Sequence, residues 1–572
     1  MRHRSLLWLL LLGGLLACAT QPLATPTSTP FTEHATTLQP TLAATAVAIP
    51  TPTQQSIPTE PTVVTSTTSP SPTPQLVPNW DNPIDEGMRA TAVAHNAIFN
   101  RLNLANSGLW QFESGSFWHP IALEMNATTA FLLDGGRVLR IDLINDIPPQ
   151  PLLQPGDFVD DLLVQEPLDL ALVGETLLVL DRAGDLYALD LATGGWQLER
   201  YEREIGETSS HYFVALGYDT AGGSQRLRLE TSYSYAHYFF ADGSERQWLL
   251  PEDVLPVDVS GVGDKIYTLW RNPDRTATVA LFQETARLTT FAPIFTMLQP
   301  RQIVATETAV YILDMAGRRL LSLQPETGVV QAVFQLPGVS AFAANAAGDQ
   351  LLFAGRDQLF FWQQPANSRF VAGGPTLPAP QPHDTGVWKT TLAYAWPITG
   401  NSDDLTPRDL QMPGAPRHYR LGIHQGIDFY WANGTPVYAA AAGTVIRATL
   451  DYERPSETAF NFRRAENIEL GYTAPENLDF YRGMQIWILQ EDGFVARYVH
   501  LSDIHWQIEE GTAVTAGQQI GLIGNTGSPA SVVSETEDAH LHFELRLDDF
   551  YLGQFLRPIE TRELLEHLFS PD

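Results

Sequence analysis

Cysteine is almost missing from this chain, with one residue, Cys18, in 572. A single thiol leaves no disulfide within the chain, so stability has to come from packed cores. Positive charge is short as well. With 34 Lys and Arg against 65 Asp and Glu, the formal net charge is −31, which argues against electrostatic docking on nucleic acid or anionic lipid. Long apolar runs are lacking too, because the N-terminal run from Leu6 to Leu16 is too short to be read as a membrane span. What is present, 44% hydrophobic residues, suffices for two cores and fits an exported chain with two folded parts.

The short apolar run has a different reading. Arg2, His3 and Arg4 precede it, and Leu15-Leu16-Ala17-Cys18 follows it. Basic residues, a short apolar stretch and a small residue before cysteine make a bacterial lipoprotein signal. Residues 1–17 are then the signal, and Cys18 becomes the lipidated first residue, tying the chain to a membrane by lipid rather than by charge. From 18 to 80 the sequence is nearly all Thr, Pro, Ser, Ala and Gln. Such a composition cannot bury a core and predicts a disordered stalk. At about 3.1 Å per residue in extended proline-rich stretches it reaches on the order of 100 Å. Residues 81–106, with EGMRATAVAHNAIFNRLNLA, suit a helix.

Between 107 and 375 the texture changes to short alternating strands with turn signals. FLLDGGRVLRIDL around Asp134, LLVLDRAGDLYALDLATG around Asp181 and VYILDMAGRRLLSLQPETG around Asp314 are copies of one pattern, with weaker copies near Glu230, Arg271 and Arg356. A β-sandwich meander would show the same strand-turn-strand texture, but the regular spacing of about 41 to 49 residues suits four-stranded blades and favours a β-propeller, six blades by count. Asp134, Asp181 and Asp314 read as turn residues that bond their own backbone. The aromatic run 231–240, TSYSYAHYFF, reads as blade packing. No catalytic set is found here, and the ligand of such a platform, protein or glycan, stays open.

The last third carries the chemistry. His424 and Asp428 lie in HQGID, His500 in YVHL, and His540 with His542 in HLHFE. Hydrolytic zinc usually takes three protein ligands and leaves a position for water, and two imidazoles with one carboxylate would meet that need. In an extended segment residues two apart share a face, so His540 and His542 point the same way while Leu541 and Phe543 pack behind. Taken singly, each piece is equally well a surface pair or a core histidine.

Their order changes this. HQGIDFYWANGTPVYAAAAGTVI, YVHL, GTAVTAGQQIGLIGNTG and HLHFE follow one another in the pattern of lysostaphin and LytM-type zinc metallo-endopeptidases, and the resemblance spans residues 391–572. It implies His424, Asp428 and His542 as ligands of one Zn2+ per chain, with His500 and His540 as the catalytic proton carriers beside the reacting water. It also implies an antiparallel β-sheet domain, beginning near Trp396-Pro397-Ile398, and peptidoglycan as the partner. The fold class is thus mainly β, a propeller-like repeat domain followed by a LytM-like peptidase domain. Gly434, Gly443, Gly511, Gly517, Gly521, Gly524 and Gly527 read as tight turns in that sheet.

Two departures from the family pattern stand out. Residues 451–482 are inserted before the strand MQIWILQ, and their aromatic residues would line a substrate groove or pack on the domain flank. SPASVVSETEDA, between GNTG and HLHFE, is longer and more acidic than the usual turn and would narrow the cleft. Neither removes a ligand. The expected protein is therefore an extracytoplasmic, lipid-anchored endopeptidase for peptidoglycan cross-links. A non-cleaving wall scaffold or activator, and a peptidase for surface proteins, are the alternatives. Nothing in the five site residues separates a stem-peptide amide from a glycine bridge.

Overall fold

The computed structural model describes residues 117–363 and 392–569, apart from internal stretches of which 201–210 is the longest, together with the strand Trp110–Gln111. The signal with Cys18, the stalk 18–80 and the helical segment 81–106 lie outside the described residues.

Six four-stranded antiparallel sheets follow one another, spanning 120–153, 167–200, 212–249, 255–291, 300–335 and 339–363. The sixth has only three strands of its own from that range, and Trp110–Gln111 supplies its outermost strand by pairing with Gln358 and Leu359. The first strand of each sheet packs on the first strand of the next, and Pro120–Met125 packs on Val339–Ala344, which closes the ring. This is the six-bladed propeller predicted from the repeat, its circle sealed by strands from both ends of the repeat region.

The repeated aspartates do more than shape their own turns. Each is fully buried. Asp134 accepts hydrogen bonds from the backbone of Trp118 and His119 (3.0 and 2.6 Å), Asp181 from Gln165 and Glu166 (3.0 and 2.8 Å), and Asp314 from Gln299 (2.9 Å). The partners lie upstream, where the chain comes into the same blade, so each aspartate ties the start of a blade to its second turn. Burying a carboxylate demands such donors. Asp181 also shows the local bond expected of a turn, to Ala183 N at 2.8 Å.

The C-terminal part centres on a seven-stranded sheet in which Ile427–Tyr430, His540–Leu547, Val495–Val499, Ile486–Gln490 and Gly443–Ala448 lie side by side, beside a three-stranded sheet of Pro436–Tyr438, Gln519–Ile523 and Leu501–Ile504. Gly434, Gly511, Gly517 and Gly527 make the expected turns at φ of +82, +89, +77 and +78°. Gly443 and Gly521 instead lie within strands. At Gly524 a Cβ would fall 2.5 Å from Ser502 N and 2.8 Å from His500 O, so glycine is required by close approach.

The 451–482 insertion folds as two helices, α1 (Glu457–Leu470) and α2 (Pro475–Arg482). The Ser456 hydroxyl caps α1 by accepting from Ala459 N, Gly471 ends it at φ +76°, and Pro475 opens α2. A last helix, α3 (Pro558–Phe569), ends the described chain.

The two cores expected from composition merge. One buried apolar cluster joins propeller residues Tyr212, Leu229, Val259 and Trp270 to Met412, Ile427, Phe543 and Phe569. Helix α3 lies across the blades and meets them with charge: Glu563 pairs with Arg301 and Arg271, Glu566 with Arg271, and Glu560 with His119. Among the described residues no helix is long and apolar enough to cross a membrane.

Candidate active site

Strand register brings the site together. Asp428 faces His542 across one pair of strands, and Val499, the neighbour of His500, faces His542 across the other. His542 thus sits between a carboxylate on one side and an imidazole on the other. His424 precedes the first of these strands and is fixed by its backbone, its N–H donating to Ala415 O and its carbonyl accepting from Gly414 N (2.7 and 2.8 Å). His540 and His542 share a face of their strand, as the alternation predicted. All five side chains are buried and line one cleft of about 910 Å³.

Three of the five meet at a point. His424 Nε2, Asp428 Oδ1 and His542 Nδ1 are 2.8 Å from one another. The remaining nitrogens define the tautomers, because carbonyl and ionised carboxylate oxygens only accept. His424 Nδ1 donates to Met412 O (2.8 Å), and His542 Nε2 donates to Glu544 Oε1 (3.2 Å). With those nitrogens committed, the three convergent atoms can present lone pairs to one shared point. A group of two imidazoles and a carboxylate, buried and this close, could hold a metal ion.

His500 and His540 stand beside this group, with ring centres 4.7 Å apart and His500 5.6 Å from His542. His500 Nδ1 donates to Thr526 O and His540 Nδ1 to Asp538 O, both at 2.7 Å. Each histidine is left with Nε2 as its proton acceptor. His500 holds φ at +63°, a rare backbone state for a residue with a side chain, which costs on the order of 1–3 kcal/mol and tends to occur at functional sites.

Electrostatics match the arrangement. Burial, with Arg417 adding to it, pushes the His424 pKa down to about 3. Burial also holds His500 well below the usual histidine range, reinforced by His540 and His542. Burial would raise Asp428, yet the surrounding imidazoles hold it well below the ordinary carboxylate value. For His542 burial is outweighed by Asp428 and Glu544, which raise it.

Several contributors were not read from the sequence. Arg417 donates to Asp428 Oδ2 at 2.7 Å and so fixes the carboxylate that presents Oδ1 to the histidines. Glu544, gripped by Arg482, Arg497 and Arg546 at 2.8 to 3.3 Å, supports His542 from behind. Tyr430 stacks on His540, with ring centres 4.8 Å apart. Glu544 was visible as the last letter of HLHFE and Tyr430 as the second residue after Asp428, but only strand pairing reveals what they touch. The two departures noted in the sequence both contribute wall: Tyr481 and Arg482 from the insertion, and Ser528, Glu537 and Asp538 from the acidic connection.

Comparison with known proteins agrees with this geometry. The model of Peptidase family M23 matches residues 422–553. The chain is 31% identical over 150 residues to the peptidoglycan DD-endopeptidase ShyA of Vibrio cholerae, covering 26% of this chain and 25% of that protein. It is 29% identical over 130 residues to lysostaphin of Staphylococcus staphylolyticus, covering 23% and 20%. The chain therefore spans about a quarter or less of these relatives' lengths. Among solved structures, a gluconolactonase from Xanthomonas campestris aligns with 46% of this chain and 91% of its own at 13% identity, with a TM-score of 0.35. The family model places the likeness in the part of the chain that carries the His-Asp-His group, and residues 422–553 are a peptidase family M23 domain.

Proposed function

We propose that this chain is a zinc-dependent endopeptidase that hydrolyses peptide cross-links of bacterial peptidoglycan, exported and held outside the cell membrane by lipid on Cys18. The observation that carries the enzymatic reading is the convergence of three acceptor atoms at 2.8 Å, with two further imidazoles facing the same cleft.

His424, Asp428 and His542 would hold the ion. Zinc bound there supplies Lewis-acid polarisation of the scissile carbonyl and lowers the pKa of water in the cleft. The chain's own groups do the rest. His500 and His540, each with Nδ1 committed to a backbone carbonyl, present Nε2 to the cleft and take the proton of the attacking water. The same nitrogens return it to the departing amine. Arg417 keeps Asp428 in place, and Glu544 keeps His542 in the tautomer that offers Nδ1. The relative named as a peptidoglycan DD-endopeptidase supports the substrate, and the lipoprotein signal in the sequence supports the address.

The test is digestion of purified peptidoglycan by the metal-loaded full chain, with released peptides read by mass spectrometry. New amine termini, absent after His542→Ala and His500→Ala, are the expected result. Intact peptidoglycan from several wall types, with the metal bound, would sink this reading.

A further inference from the structure

Arg420 is an unusual arginine. It is 5% exposed, and yet it lines the cleft that holds the five site residues. Its hydrogen bonds go to neutral groups, Nη2 to Ile423 O (2.8 Å) and Nη1 to Thr473 Oγ1 (3.1 Å). Among the described residues it pairs with no carboxylate, whereas two other arginines of the same cleft do: Arg417 with Asp428 and Arg482 with Glu544. Burying an arginine without an anion is costly, and the cost persists only where something else repays it. Burial, with Arg417 and Arg482 nearby, lowers the pKa of Arg420, and the Tyr419 hydroxyl offsets this only in part.

The insertion holds this arginine in place. Thr473, in the turn between α1 and α2, donates from its hydroxyl to Arg420 O (2.5 Å), and its N–H donates to Leu421 O (3.1 Å). Gly422 leaves the space the guanidinium occupies, since a Cβ there would lie 2.2 Å from Arg420 Nη1 and 2.5 Å from Thr473 Oγ1. Ser528, also in the cleft, is 2% exposed and its hydroxyl has no partner. The wall thus offers a buried cation and an idle hydroxyl donor.

We propose that Arg420 is a specificity residue that binds a free carboxylate of the peptide substrate. The substrate class is then a peptide carrying such a carboxylate near the bond cut, as wall stem peptides do, rather than a neutral glycine bridge. This rests on the peptidase reading. The 451–482 insertion acquires a role as the clamp that keeps the guanidinium aimed into the cleft.

Two measurements on the full chain decide it. The first is kcat/KM on a stem-type peptide with its free carboxylate and on the same peptide carboxamidated. The second is calorimetric binding of both peptides to chelator-treated protein, which does not need catalysis. The acid should be favoured by roughly tenfold or more in both. Arg420→Gln should lose that preference by weakening the acid only, with the amide as control for folding, and Arg420→Lys should restore part of it. Equal handling of acid and amide by the unaltered protein, or an undiminished preference in Arg420→Gln, overturns the proposal. If neither peptide is cut but the acid binds preferentially through Arg420, the peptidase reading fails and this one stands.

Discussion

Glu166 offers a direct way to ask whether propeller and peptidase stand or fall together. It immediately precedes the second propeller sheet (167–200), and its carboxylate pairs with Arg182 at 2.8 Å, with both side chains 2% exposed. The same carboxylate accepts from Phe555 N at 3.0 Å and from the Tyr551 hydroxyl, both of the peptidase part, while Arg182 donates to Leu556 O. Glu166→Ala leaves the Arg182 guanidinium buried and unpaired and orphans two donors from the other part. Removing one member of a buried pair costs about 3–5 kcal/mol, a large share of the 5–15 kcal/mol typical of a folded domain. Urea unfolding followed by circular dichroism should therefore show one transition, displaced by that amount. Hydrogen exchange of the His540–Leu547 strand should accelerate in step, although Glu166 is not part of the peptidase. Glu166→Leu with Arg182→Met, which removes both charges, should recover most of the loss. A cost below about 1 kcal/mol, or faster exchange confined to the propeller, would refute the idea of a shared core.

Three further outcomes are expected. His500→Ala and His540→Ala should each keep the metal while wall cleavage falls by about 10²–10⁴, measured by metal analysis beside product release. Glu544→Gln should weaken metal affinity by roughly 10–100-fold, read by competition with a chromophoric chelator, because a neutral amide oxygen replaces the carboxylate that accepts from His542 Nε2. Glu560 governs an acid limit. Burial would raise its carboxyl, but His119, Arg557 and Arg301 hold it well below the ordinary carboxylate range. A depressed carboxylate contributes stability above its unfolded pKa and loses it as pH falls through the folded one. Stability should thus decline below about pH 4.5, and Glu560→Gln should flatten that decline in thermal melts across pH.

The parts of this molecule written in short-range pattern were legible in the sequence. The blade count followed from the recurrence of strand, turn and strand, since each copy declares itself within about twenty residues. That the five candidate residues would come together in one cleft was legible because their types and their order are specific. His540 and His542 share a face for the reason their spacing gave. What escaped was held by long-range pairing. The register that sets Asp428 against His542 joins residues 114 apart, and the partners of the buried repeat aspartates lie upstream of their own turns. Arg417 and Arg420 carry no motif, Glu544 is only the last letter of HLHFE, and their significance comes from what surrounds them in space.

The most direct test of the central claim is zinc content per chain, measured on the purified full protein together with mass spectrometry of peptidoglycan incubated with it. About one zinc per chain, lost in His542→Ala, with new amine termini appearing only in the zinc-loaded protein, is the predicted result. Unchanged zinc content in His542→Ala, or cleavage that persists after the metal is stripped, would contradict it.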